Sequence, residues 1–295
     1  MMWVYVNGKF VPEAEATISV FDHGFLYGDG VYEAVRIYQG KPFLFDRHLA
    51  RLRRSCDLIG LVHPVDDEAW WTILTEMVRR NCLSDAGIRL TISRGPGEIG
   101  IDPGLCHQPT VVVMAKVLSP YPTEMRERGV SLKVVSVRRN PLAAQSPHIK
   151  SLSFLNNILA KQEASQAGAF DALMLNMDGY VTECTTSNVF FVRHGQVYTP
   201  SAGCGILEGI TREVIIELAR TLGVSVKEGY YEVDAFLGAD ECFITNTGME
   251  VMSVSRIDQN VIGTGKSGPL AHQLWKAFQD NLGRYLGPSL LETPR

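Results

Sequence analysis

The sequence of 295 residues lacks the features of several large classes of protein. No apolar run approaches the roughly 18 residues of a membrane-spanning helix. The N-terminus has no basic start followed by an apolar stretch and a cleavage site of small residues, so we expect no secretory signal. The sequence therefore predicts a cytoplasmic protein with no membrane partner.

Cysteine and histidine motifs are absent as well. The six cysteines form no CxxC and lie at no short spacing from a histidine, which argues against a disulfide framework and a zinc site. His23, His48 and His148 each lack a second ligand at metal spacing. We therefore expect reduced, mostly buried thiols and no bound metal.

Motifs for nucleic acids, nucleotides and hydrolysis are also missing. The net charge is −4, and the densest basic cluster, 47–54, forms one helix face, so no nucleic-acid partner is expected. The P-loop, the G-x-S-x-G elbow and H-E-x-x-H do not occur. Residues 95–100 match G-x-G-x-x-G, but the following IDPG cannot open a helix. This segment is predicted to be a glycine-rich loop.

What the sequence contains is the pattern of a globular protein with two domains. Apolar residues make up 45% of the chain, and turns at Asn7-Gly8 and Gln39-Gly40 predict two hairpins. Strands and helices occur in blocks, which favours an α+β fold. We predict a small N-terminal α+β domain at 1–118, an interdomain linker at 119–128 containing two prolines, and a large C-terminal domain at 129–295.

Two helices with apolar stripes are predicted in the larger domain. The first, 153–168, is expected to bury four apolar side chains, Phe154, Leu155, Ile158 and Leu159. The second, 211–223, is the clearest amphipathic helix of the chain. Strand 130–137 precedes the first helix, and Lys150 lies between the two elements.

Three features in this half are candidates for chemistry. Lys150 has apolar neighbours, which favour a neutral amine by desolvation. Glu183 ends an apolar strand and needs a cationic or hydrogen-bonding partner that the sequence does not name. Residues 207–211 lead into the amphipathic helix, where backbone amides can bind an anion. A plain loop with Thr211 as the helix N-cap explains that segment equally well.

Six segments of the chain, taken in order, carry a resemblance to a known family. They are FLYGDGVYEAVRIY (25–38), FDRHLARL (45–52), IKSLSFLNN (149–157), VTECTTSNVFFV (181–192), GILEGITRE (205–213) and FITNTGMEV (243–251). In these segments the chain resembles the class IV, or fold-type IV, aminotransferases, which depend on pyridoxal 5′-phosphate. The resemblance implies the two-domain fold of the D-amino acid aminotransferase type, with the site between the smaller and the larger domain.

The resemblance also implies roles for particular residues. Lys150 would form the Schiff base with the cofactor and then move a proton between the substrate Cα and the cofactor. Glu183 would hold the pyridine nitrogen protonated. Leu207 would pack on the ring. The cofactor phosphate would be bound by Arg51, Gly209, Ile210, Thr211 and Thr247.

Substrate positions and assembly follow from the same likeness. Tyr27, Tyr32, Arg36 and Gly248 correspond to positions near the substrate. A homodimer with shared active sites is implied, in which loop 95–103 reaches the site of the neighbour.

The reaction is narrowed by loop 95–103. It contains no arginine and no histidine, the residues with which D-amino acid enzymes of the family hold the substrate carboxylate. The same loop and LEGITRE (207–213) resemble the corresponding segments of the branched-chain aminotransferases, so the resemblance implies transfer from branched-chain L-amino acids to 2-oxoglutarate. Leu155, where branched-chain enzymes usually have tyrosine, keeps other reactions open. These are transamination of D-amino acids or R-amines, lysis of 4-amino-4-deoxychorismate, and cofactor binding without turnover.

Overall fold

The computed structural model describes residues 2–291, which divide into two compact units. The first unit runs to Ser119 and includes Ile149–Phe154 and the segment from Arg284 onward. The second comprises Pro120–His148 and Leu155–Gly283. The mixture of helices and sheets confirms the predicted α+β class. No helix among residues 2–291 is long and apolar enough to cross a membrane.

The first unit is built on a six-stranded antiparallel sheet with the strand order β2-β1-β6-β5-β3-β4. Its strands are β1 (Trp3–Val6), β2 (Lys9–Pro12), β3 (Gly30–Tyr38), β4 (Lys41–Pro42), β5 (Ala86–Ser93) and β6 (Thr110–Val117). Its helices are α1 (His23–Tyr27), α2 (Phe45–Leu58) and α3 (Asp67–Arg80). The hairpins at Asn7-Gly8 and Gln39-Gly40 are confirmed, and all four turn residues have positive φ.

The two faces of this sheet differ in character. Val35 and Ile37 of β3 lie in the core with Leu49 and Leu52 of α2, all four nearly inaccessible to solvent. Because side chains alternate along a strand, Tyr32 and its neighbours two residues away lie on the opposite face. That second face carries the polar and cationic residues described below.

The second unit contains a nine-stranded mixed sheet with the order β12-β11-β10-β13-β14-β7-β8-β9, and β15 pairs with β14. The strands are β7 (Val130–Arg138), β8 (Asp171–Leu175), β9 (Val181–Cys184), β10 (Asn188–Arg193), β11 (Gln196–Pro200), β12 (Val226–Gly229), β13 (Glu241–Asn246), β14 (Glu250–Ile257) and β15 (Asn260–Val261). The helices are α4 (Thr123–Arg128), α5 (Leu155–Gln166), α6 (Ile210–Thr221), α7 (Val233–Leu237) and α8 (Pro269–Asn281).

The predicted linker, 119–128, is largely helix α4. Its Arg126 donates hydrogen bonds to the carbonyl oxygens of Met249 and Val251, and its guanidinium lies over the ring of Trp275. The prolines therefore begin a helix that is held to β14 and α8. The predicted C-terminal domain, 129–295, differs in a second way, because Ile149–Phe154 pairs with β3 and belongs to the first unit.

The predicted buried face of helix 153–168 is wrong. In α5 the side chains of Leu155, Ile158 and Leu159 are exposed, whereas Ala160 and Ala164 are completely buried. The two alanines pack in a small cluster with residues of β7 and β8. Small side chains let the helix lie close to the sheet, and the larger apolar residues are turned away from it.

Candidate active site

Lys150 is held by its backbone against strand β3. Its carbonyl oxygen accepts a hydrogen bond from Tyr32 N at 2.9 Å, and its own N–H donates to Ser55 Oγ at 3.2 Å. Two residues later, Leu152 N donates to Gly30 O at 2.9 Å. These backbone bonds fix the position of the Lys150 Cα, and the side chain of Lys150 is half-buried.

The Lys150 amine lies in an aromatic and cationic environment. Its Nζ is 4.5 Å from the centroid of the Tyr32 ring, and Cζ of Arg89 is 3.8 Å from the same centroid. Arg89 was missed from the sequence, although strand alternation along β5 places it on this face of the sheet. Burial lowers the pKa of the Arg89 guanidinium, but the group remains a cation near neutral pH. The face is therefore suited to anionic substrate groups.

The other predicted substrate residues of this unit lie on β3 and α1. Arg36 is buried on the same sheet face as Tyr32; its Nη2 lies 3.7 Å from Asp85, and its buried Nε has no hydrogen-bond partner. Tyr27 is 42% exposed, and its hydroxyl accepts a hydrogen bond from Gly100 N at 3.1 Å. Tyr27 is thus attached to the glycine-rich loop.

That loop has no dinucleotide-binding geometry. His23 Nε2 lies 2.9 Å from Glu98 O, and Gly97 forms an isolated bridge with Cys106. The chain then makes only a short 3-10 turn at Pro103–Leu105. The expectation of a glycine-rich loop is confirmed, because no helix follows the motif to receive a pyrophosphate.

Arg51 makes a two-point ion pair inside the first unit. Its Nε donates to Glu33 Oε1 at 2.6 Å and its Nη2 to Glu33 Oε2 at 3.0 Å. His48 Nδ1 lies 2.7 Å from Glu33 Oε2, and its buried Nε2 has no partner. Burial opposes ionisation of Glu33, but the charges of Arg51 and His48 hold its pKa well below the ordinary range. Burial, with the charges of Arg51 and Lys150, lowers the pKa of His48 despite Glu33.

Glu183 has an equally specific set of partners in the second unit. Arg139 Nε donates to Glu183 Oε1 at 2.9 Å. Glu183 Oε2 accepts from Leu207 N at 3.0 Å and from Asn188 Nδ2 at 3.3 Å. Arg139 also contacts Asn157 Oδ1 at 3.3 Å. The cationic partner that the sequence could not name is therefore Arg139, 44 residues away along the chain.

The start of helix α6 has the properties of a phosphate-binding site. The helix begins at Ile210 after the capping residue Gly209, so Thr211 is its second residue and not the N-cap. No side chain caps this end, and Thr211 Oγ1 is buried without a hydrogen-bond partner. Unpaired amides and an unsatisfied hydroxyl at a helix N-terminus fit a phosphate group.

Thr247 and Gly248 lie in the turn between β13 and β14. Asn246 Oδ1 shapes that turn by accepting hydrogen bonds from the N–H groups of Gly248 and Met249 at 3.0 and 2.7 Å. Thr247 is half-buried and Gly248 is exposed. Within residues 2–291 no group of histidine, cysteine, aspartate or glutamate could hold a metal ion.

The predicted site residues thus form two sets. The first unit assembles Lys150 with Tyr32 and, beneath the same sheet, Arg51. The second assembles Glu183 with Leu207 and the start of α6. A comparison with protein families identifies the chemistry, because the model for class IV amino-transferases matches residues 30–257. The chain belongs to the class IV aminotransferases.

Individual relatives agree with this assignment. A Methanocaldococcus jannaschii protein, provisionally named as a branched-chain-amino-acid aminotransferase, is 41% identical over 95% of this chain and 96% of its own. The aminodeoxychorismate lyase of Bacillus subtilis is 38% identical over 87% of each chain. D-alanine aminotransferases, such as that of Bacillus licheniformis, are 35% identical.

Solved structures of class IV aminotransferases have the same fold. The branched-chain amino acid aminotransferase of T.th., solved with pyridoxamine 5′-phosphate, superimposes with a TM-score of 0.93, at 34% identity, over 97% of this chain and 98% of its own. This agreement confirms the fold-type IV prediction. The protein is a pyridoxal-phosphate-dependent aminotransferase.

Proposed function

We propose that this enzyme transfers the amino group of branched-chain L-amino acids to 2-oxoglutarate, with pyridoxal 5′-phosphate attached to Lys150. The observation that carries the proposal is the position of the Lys150 amine, 4.5 Å from the Tyr32 ring on a chain segment bonded to β3. Because its backbone is held in place, this amine can approach the same atom of a bound substrate in every catalytic cycle.

The cofactor supplies an acceptor for the electron pair released when the substrate Cα loses its proton. Lys150 is the base that takes this proton and the acid that returns it. Glu183, oriented by Arg139 and the N–H of Leu207, keeps the pyridine nitrogen protonated. The side chain of Leu207 would lie against one face of the ring.

The phosphate end of the cofactor is assigned to four residues of the second unit and to Arg51. Thr211 supplies the buried hydroxyl that has no protein partner, and Gly209 and Ile210 supply helix-start amides. Thr247, in the turn between β13 and β14, is the fourth residue of this unit that we assign to the phosphate. The α6 dipole and the guanidinium of Arg51 both favour the double negative charge of a phosphate.

The amino acceptor is assigned from the charge of the substrate face. Arg89 and Arg36 are cations on the sheet face that carries Tyr32, and they favour a second carboxylate such as that of 2-oxoglutarate. Tyr27 and Gly248 complete the residues assigned to the substrate. The relatives with D-alanine and with aminodeoxychorismate in their names make a D-amino acid transaminase and a lyase the alternatives.

A panel of donors tests the proposal. The purified enzyme is mixed with L-leucine, L-valine, D-alanine, an R-amine or 4-amino-4-deoxychorismate, and conversion of the cofactor to its amine form is followed by absorbance. We expect conversion with L-leucine and L-valine. A response to D-alanine alone would overturn the substrate assignment, and pyruvate release without an amino acceptor would make the enzyme a lyase. No conversion with any donor would indicate cofactor binding without turnover.

We also propose a homodimer in which loop 95–103 reaches the partner. In this loop Ile99 is 75% exposed and Ile101 is 89% exposed, and the attached segment presents Phe21 and Phe25. Adjacent exposed apolar side chains of this size are typical of an interface. Light scattering should give twice the chain mass, and Ile101→Asp should lower it; a monomeric wild-type protein would contradict this assembly.

A further inference from the structure

Asn188, the first residue of β10, is buried between the two parts of the proposed cofactor site in the second unit. Its Nδ2 donates to Leu207 O at 2.8 Å and to Glu183 Oε2 at 3.3 Å. One amide group therefore contacts both the carboxylate and the segment that leads into α6. None of the sequence motifs assigns a role to this residue.

The other end of the same amide explains the glycine at 209. Gly209 has φ −75° and ψ 133°, a conformation that any L-residue adopts, so backbone freedom does not require glycine there. A Cβ at this position would instead overlap Asn188 Oδ1. The absence of a side chain lets the start of α6 lie directly on the asparagine.

We propose that Asn188 is a positioning residue that fixes the Glu183 carboxylate relative to the amides of residues 209–211. This inference rests on the proposed function, in which these two groups bind the pyridine nitrogen and the phosphate of one cofactor. The distance between those two ends of the cofactor is set by its covalent structure. A single buried side chain that donates to Glu183 Oε2 and to Leu207 O, and whose Oδ1 packs against Gly209, holds the two groups at a matching separation.

The two polar atoms of the Asn188 side chain make different contacts. Nδ2 orients Glu183 and Leu207, and Oδ1 supports Gly209. Asn188→Asp keeps the shape and the oxygen but removes the donor and places a carboxylate beside Glu183. Asn188→Ala removes both. Thr199→Val is the matched control, because Thr199 is a fully buried residue of the same unit whose hydroxyl donates to Val189 O at 2.9 Å.

The first experiment is a double-mutant cycle on the affinity for pyridoxal 5′-phosphate, measured by spectroscopic titration of Asn188→Ala, Gly209→Ala and the double variant. Asn188→Ala should weaken binding about 10-fold, the order expected when buried hydrogen bonds are lost. Gly209→Ala should weaken binding by a similar factor, because its Cβ would overlap Asn188 Oδ1. The double variant should bind no more weakly than Asn188→Ala, because the added methyl group then has nothing to overlap. Independent effects that multiply to about 100-fold would overturn the proposal.

The second experiment distinguishes positioning from general stability. In Asn188→Asp the pH dependence of the bound cofactor's absorbance should shift, since the charge next to Glu183 has changed, whereas Thr199→Val should leave it unchanged. An identical titration in wild-type enzyme and Asn188→Asp would overturn the positioning role. If the wild-type enzyme bound no pyridoxal 5′-phosphate, the proposed function itself would fail, and the inference with it.

Discussion

Each unit contains a buried arginine–glutamate pair, and the two pairs differ in what else contacts the carboxylate. In the first unit Glu33 is completely buried, and Arg51 and His48 contact its two oxygens. In the second unit Glu183 contacts Arg139 through one oxygen, while the other accepts two N–H groups.

In our proposal the difference separates a glutamate that acts in stability, Glu33, from a glutamate that contacts the cofactor, Glu183. The partners of Glu33 lie on one helix, α2, so its ion pair joins strand β3 to that helix. The partners of Glu183 include the backbone of Leu207, three residues before the start of α6, the helix that we assign to the cofactor phosphate. The same two residue types thus stabilise a core in one unit and, in our proposal, orient a carboxylate for a cofactor in the other.

The largest effect is expected from a substitution that breaks the second pair, Glu183 and Arg139. Glu183→Gln keeps the shape of the side chain but cannot hold a proton on the pyridine nitrogen by charge. We expect kcat for L-leucine to fall about 100-fold to 10,000-fold, the range for loss of a group that acts in proton transfer. Steady-state kinetics with a cofactor-saturated enzyme measure it. A loss smaller than tenfold would remove Glu183 from its assigned role.

The corresponding change in the first pair should act on stability. In the cofactor-free enzyme, Glu33→Gln leaves the Arg51 guanidinium buried without its counter-ion, which we expect to lower the free energy of unfolding by about 3 kcal/mol. Urea denaturation of Glu33→Gln and Glu183→Gln in parallel tests the contrast. If Glu183→Gln proved the more destabilised variant, the distinction between the two pairs would be wrong.

Removal of the arginine from the second pair should have a smaller effect. In Arg139→Gln the Glu183 carboxylate keeps the N–H of Leu207 and the amide of Asn188. We expect kcat to fall about tenfold with little change in KM, as for other residues that orient a reacting group. Initial rates over a range of L-leucine concentrations measure both constants. A rise in KM alone would show that Arg139 acts in substrate binding.

The smallest expected effect is a dependence of stability on pH that is caused by His48, the histidine that contacts Glu33 of the first pair. The pKa of His48 lies below its ordinary value of 6.5 in the folded chain, so the unfolded chain binds the proton more readily. Stability is therefore greatest above pH 6.5 and declines as the pH falls below it, by at most about 1.4 kcal/mol per pH unit for one proton.

Urea denaturation between pH 7.5 and 5.5 measures this decline. His48→Gln should reduce the slope, while the remaining slope includes His63, whose pKa burial also lowers. An unchanged slope in His48→Gln would show that the histidine beside Glu33 does not titrate in this way.

Local chemistry explains which parts of the molecule could be predicted. The hairpins at Asn7-Gly8 and Gln39-Gly40 depend on turn residues that are adjacent in sequence, and both were predicted correctly. The face of α5 depends on what packs against it. Spacing located an apolar stripe there, but not the close approach that Ala160 makes possible.

The candidate site shows the same limit. Lys150, Glu183 and the segment before α6 were identified from motifs, and their assigned roles remain predictions. The residues missed were partners distant in sequence, such as Arg139 for Glu183 and Arg89 beside Tyr32. Such pairs are set by strand register and helix placement, which a motif does not encode.

The attachment of pyridoxal 5′-phosphate to Lys150 is the central claim, and borohydride reduction tests it most directly. The enzyme is reduced in the presence of the cofactor, digested, and mapped by mass spectrometry. We predict one phosphopyridoxyl label, on the peptide containing Lys150, and none in Lys150→Ala. A label on a different lysine of the wild-type enzyme would contradict the account.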